Sequence, residues 1–155
     1  MMKMGIAVQR QLTLHERRLL EFLLSINEPL YGALATEWKT QTSTLVVCDV
    51  DPSCFFAKRV AHVFEADEFD IITLRRELIG IDEGVPVLIY ALVEKSPGGY
   101  VLDSFSVDRL DGKALRSFPD AGENLMVMEG GRRIDGADWR NVYSESEYSP
   151  PRKLV

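Results

Sequence analysis

The chain has 155 residues, of which 46% are hydrophobic and 27% charged, and its net charge is −6. A chain of that size and balance folds as one globular domain burying about two-thirds of its unfolded surface, which excludes a disordered chain, a collagen-like repeat and a disulfide scaffold. The longest apolar run, residues 85–93, is broken by Pro86, and residues 1–10 lack the length of a secretory h-region, so a soluble cytoplasmic protein with no membrane partner is expected.

The first element opens at a capping box, Thr13-Leu14-His15-Glu16, in which the threonine hydroxyl accepts the N–H three residues on and Glu16 reaches back. Leu19, Leu20, Leu23 and Leu24 then form one apolar stripe, opposed by Arg17, Arg18, Glu21 and Ser25, and Asn27 with Pro29 ends the helix. A short helix is expected over 31–38. Residues 44–50 are rich in β-branched side chains and read as a strand. Asp51-Pro52 resembles an N-cap with proline at the first helical position, so a helix over 52–64 carrying Phe55, Phe56, Val60, Val63 and Phe64 is favoured over a strand, turn and second strand.

Residues 69–74 read as a strand and Asp82-Glu83-Gly84 as a turn. The clearest feature follows: strand 85–95, the turn Ser96-Pro97-Gly98-Gly99, and strand 100–109. Gly98 and Gly99 tolerate the backbone angles of a tight reversal, which makes this a β-hairpin. Its first strand is apolar on both faces, with Val85, Val87, Ile89, Ala91 and Val93 on one and Leu88, Tyr90 and Leu92 on the other, so it is central and both Leu88 and Ile89 are expected to be buried. Its second strand alternates less cleanly, placing Asp103 with Val101, Phe105 and Val107 on one face and Ser104, Ser106 and Asp108 with Tyr100 and Leu102 on the other, and reads as nearer an edge or as opening onto a polar groove. After Pro119 the pattern decays, apart from an apolar run at 125–128, and 144–155 reads as an extended tail. The expected fold is α+β: an antiparallel sheet with a prominent central hairpin at about 85–109, covered by one or two helices, in a single domain over 1–143. A central strand apolar on both faces needs two covering layers, and a two-fold homodimer is one way to supply the second.

Residues 63–111 hold four basic and eleven acidic residues, a balance of −7. That distribution argues against nucleic acid, which needs a positive face, and it fits either plain solubility or a basic partner. Cys48 and Cys54 lack the second ligand pair of a zinc site, so two free thiols and no metal are expected. The segment Cys48-Asp49-Val50-Asp51-Pro52-Ser53 after a hydrophobic strand resembles the first motif of haloacid-dehalogenase-type phosphatases. That resemblance implies Asp49 as nucleophile, Asp51 as general acid, and Mg²⁺ between them. A strand followed by a capped helix accounts for the same residues.

Three further stretches resemble a family of small bacterial domains of unknown function. They are Arg10-Gln11-Leu12-Thr13 with Glu16 and the leucines of the helix, Asp82-Glu83-Gly84-Val85-Pro86-Val87, and 100–108 followed by Phe118-Pro119. The resemblance implies a bacterial origin and an α+β hairpin core, and no activity or cofactor. The function expected from the residues is a non-catalytic binding domain facing a basic protein, with Asp103, Asp108 and Asp111 as the binding residues. An inhibitor or immunity-type protein against a basic toxin, and a small Mg-dependent phosphohydrolase, are the alternatives. Asp103 stands among apolar neighbours, so an internal partner is expected for it, with Arg75 or Arg76 the nearest candidates.

Overall fold

A computed structural model describes residues 9–51, 53–59, 70–121 and 124–134. Thr13 caps helix α1 (Leu14–Ile26) as its sequence requires, its hydroxyl accepting the Glu16 N–H at 3.1 Å while Glu16 Oε1 accepts the Thr13 N–H at 2.9 Å. At the other end Asn27 does more than stop the helix. Its buried amide donates to the carbonyls of Leu23 (2.9 Å) and Arg76 (3.1 Å) and accepts the Arg76 N–H, so the helix terminus is tied to a strand 49 residues later. Helices α2 (Glu28–Tyr31) and α3 (Ala33–Lys39) follow, separated by Gly32 at φ +60°, where only glycine avoids strain.

The described residues form nine strands: β1 Gln9–Gln11, β2 Leu45–Asp51, β3 Cys54–Arg59, β4 Ile71–Thr73, β5 Arg76–Asp82, β6 Val85–Ser96, β7 Gly99–Arg109, β8 Met126–Glu129 and β9 Arg132–Ile134. Their order is β1-β2-β3-β7-β6-β5-β8-β9, with β4 also pairing with β6, and every pairing is antiparallel. The fold is therefore α+β with an antiparallel sheet, and the β6–β7 hairpin lies at its centre.

Cross-strand register sorts the side chains into two sets. Leu45, Val47, Ala57, Leu78, Val87, Ile89, Ala91, Phe105, Val107 and Val127 share one buried cluster with Leu19, Leu20, Leu23 and Leu24 of α1 and Trp38 of α3. The opposite parity carries Val46, Phe56, Ile79, Leu88, Leu92 and Met126, all only half-buried. Trp38 ties α3 to the hairpin by donating its indole N–H to the Tyr100 carbonyl at 3.0 Å.

Several sequence expectations need correction. The favoured helix over 52–64 is a strand at Cys54–Arg59, paired antiparallel with β2 and β7; residues 52 and 60–64 lie outside the described residues. Phe55 and Phe56 consequently face opposite sides, Phe55 meeting the rings of Phe105 and Phe118 and Phe56 joining the half-buried set. Asp51-Pro52 thus precedes a strand and not a helix. β7 is no edge, since β3 and β6 flank it. Of the pair Leu88 and Ile89, Ile89 is wholly buried and Leu88 only half-buried.

Strand β5 was missed because its inward positions carry Arg76, Leu78, Gly80 and Asp82, which hides the alternation. The two-residue turn after it, Glu83 at φ +52° and Gly84 at +82°, has the left-handed pair of angles that suits a tight hairpin. β8 and β9 add two further strands where the pattern seemed to decay. The expected tail at 144–155 lies outside the described residues.

Candidate functional site

Asp103, Asp108 and Asp111 do not converge. Asp103 is the extra residue of a β-bulge: Leu92 stands opposite Ser104 and Val93 opposite Leu102, and Asp103 falls between the two. The bulge breaks the alternation that had grouped Asp103 with Phe105 and Val107. Its carboxylate is buried and accepts from Lys58 Nζ at 3.1 and 3.4 Å. The expected arginines are engaged elsewhere, Arg75 and Arg76 both donating to Glu129 at 2.9 Å.

Asp108 sits on the half-buried sheet face. Register places Cys54 and Leu88 on either side of it, and Ser106 opposite Tyr90. Cys54 Sγ donates to Asp108 Oδ1 at 2.7 Å and Tyr90 Oη donates to Oδ2 at 3.0 Å. Burial pushes the Tyr90 hydroxyl above its ordinary pKa, and the Asp108 charge adds to that against an opposing hydrogen bond from Ser106, so the phenol is held as a donor. Both cysteines are free thiols: Cys48 is buried and Cys54 half-buried. Burial pushes the Cys48 thiol up, with Lys58 opposing. The polar stripe on this face was foreshadowed by the alternation of Ser104, Ser106 and Asp108. Cys54 and Tyr90 were not legible as its members, because each depends on pairing between distant segments.

Asp111 belongs to a third cluster at the end of β7. The Arg109 guanidinium bridges it to Asp82, donating to Asp111 Oδ1 and Oδ2 at 2.8 and 3.1 Å and to Asp82 Oδ2 at 2.9 Å. Asp82 is buried in the hairpin and also accepts from the backbone N–H groups of Arg116 (2.7 Å) and Ser117 (3.2 Å) and from the Ser117 hydroxyl. One carboxylate therefore fastens the loop that leaves β7.

The Arg116 N–H foremost, then Arg109 and Ser117, hold the Asp82 carboxyl below its ordinary pKa of 3.8 despite desolvation. A carboxylate with a lowered folded pKa adds stability above its unfolded pKa and loses it as pH falls through the folded value. Asp82→Asn is therefore expected to melt below the wild type at neutral pH, with the gap closing as pH drops from about 4 toward 2. Thermal melts of both proteins across that range check this; a gap of constant size would mean that the charge is not what fastens the loop.

Asp49 and Asp51 lie on β2, in an antiparallel pair with β3. The phosphatase motif they resemble belongs at a strand tip of a parallel sheet, and every pairing among the described residues is antiparallel. Their side chains lie outside the described residues. No helix among the described residues is long and apolar enough to cross a membrane. Comparison of the chain with known protein families, curated proteins and solved structures finds no match.

Proposed function

We propose that the protein is a non-catalytic binding domain that receives a basic protein on the sheet face centred on Asp108. The observation that carries this reading is the anchoring of that carboxylate. Each oxygen takes one internal donor, Cys54 on one side and Tyr90 on the other. A carboxylate offers about four acceptor positions, so a lysine or arginine head group meets acceptor sites already oriented. Half-buried Phe56, Leu88 and Leu92 on the same face offer apolar contact to the stem of such a side chain. The balance of −7 over residues 63–111 supplies longer-range attraction that salt screens.

Asp108→Asn keeps the shape of the side chain and removes the charge. The immobilised wild type is expected to retain a protein of pI above about 9 at low ionic strength and to release it near 0.3 M salt, where screening is strong. The Asn variant is expected to keep its melting temperature within a few degrees and to lose most of that retention. Equal retention by the two proteins would reject the reading, and unfolding of the variant would assign Asp108 to the fold instead.

A further inference from the structure

The loop between β7 and β8 covers residues 110–125 and holds no helix or strand among its described residues, an unusual length for a connection within a small domain. Its residues 115–120 are nevertheless fixed. Asp82 takes the N–H groups of Arg116 and Ser117, His15 on α1 contacts Asp120 at 2.7 Å, and the Phe118 ring packs edge-on against His15 and Phe55. Leu115, Phe118 and Leu125 pack against the core.

Between this loop and strands β5 and β8 lies a cleft of about 560 Å³, within the range of small-molecule sites. Its lining includes Phe118, Pro119 and Leu125 from the loop, with Gly80 at its floor. A Cβ at Gly80 would stand 3.1 Å from Leu125 Cδ2 and 3.7 Å from Pro119 Cβ, so the bare backbone there lets the two walls close to their present spacing. Asn124 at the rim adopts φ +67°, a conformation most side chains avoid. Among the described lining residues only Asp120 is charged, and its side chain is 88% exposed, with one oxygen on His15.

We propose that this cleft binds a small molecule with an apolar body and a protonated amine, the body against Phe118, Pro119 and Leu125 and the ammonium on Asp120. The sign follows from the Asp120 carboxylate, and the apolar body from Phe118, Pro119 and Leu125. Because the loop is already held by Asp82 and His15, little ordering is spent on closing the site. This site is separate from the Asp108 face and does not depend on it.

The test is a titration of the protein, followed by its backbone amide NMR signals, with 2-phenylethylammonium, 2-phenylethanol and phenylacetate. The expected result is saturable shifts at Gly80, Ile81, Leu125 and Met126 for the ammonium, about threefold to fivefold weaker binding for the alcohol, and weaker still for the carboxylate, as suits an exposed charge pair. Asp120→Asn alters an exposed side chain and is expected to bring the ammonium down to the level of the alcohol without moving the melting temperature by more than a few degrees. Saturable shifts absent at about 10 mM ligand, a range in which even millimolar affinity saturates, would overturn the proposal. So would shifts confined to other residues, or equal binding of all three probes.

Discussion

Glu129→Ala is expected to destabilise the protein by about 3–5 kcal/mol, the usual result of breaking a buried ion pair. The buried partner in that pair is Arg76, whose side chain is 1% exposed and whose Nε donates to Glu129 at 2.9 Å. Its Nη1 donates to the Ile26 carbonyl at 3.0 Å, and its backbone meets the Asn27 amide from both sides, so the guanidinium is held where it is and water does not reach it. Arg75 shares the same carboxylate through Oε2. One glutamate on β8 thus neutralises two arginines at the start of β5 and joins them to the end of α1. Against a typical domain stability of 5–15 kcal/mol, the loss is a large share of the total. Urea denaturation measures it directly. The double variant Arg76→Met with Glu129→Leu distinguishes the mechanism, because removing both charges removes the desolvation penalty along with the attraction, and it is expected to recover most of the loss. A single variant losing less than about 1 kcal/mol would show that the site admits water.

Ile89→Ala and Leu88→Ala are expected to differ sharply although the residues are neighbours. Ile89 is wholly buried, flanked by Leu78 and Val107, and its truncation is expected to cost about 2–5 kcal/mol through lost transfer energy and a residual cavity. Leu88 points to the other side, between Ile79 and Asp108, and is only half-buried, so its truncation is expected to cost about 1 kcal/mol. Chemical denaturation of the two variants side by side checks the contrast. Equal large losses would mean that a further layer covers the Leu88 face as completely as the Ile89 face is covered. That result would also bear on assembly, since a second copy of the chain is one source of such a layer, and sedimentation at micromolar concentration reads it independently.

The boundary between what was legible from the residues and what was not follows the range of the forces involved. Helix α1 was legible to the residue, because its cap, its stripe and its stop all lie within a few positions of one another. The β6–β7 hairpin was legible for the same reason, its turn and both strands being contiguous. Segment 52–64 was misread because Phe55 and Phe56 suit a helix face or a strand equally well, and only pairing with β7 decides for the strand. β5 was invisible because its inward arginine and aspartate are tolerable only opposite Glu129 and Arg109, which arrive from 53 and 27 residues away. The candidate site shows the same limit. The sequence by itself determined that Ser104, Ser106 and Asp108 share a face of one strand. Tertiary structure decided that Cys54 and Tyr90 hold Asp108, that a bulge turns Asp103 toward Lys58, and that Asp111 goes with Arg109 instead. A carboxylate's partners are chosen by which strand becomes its neighbour, and no local pattern encodes that choice.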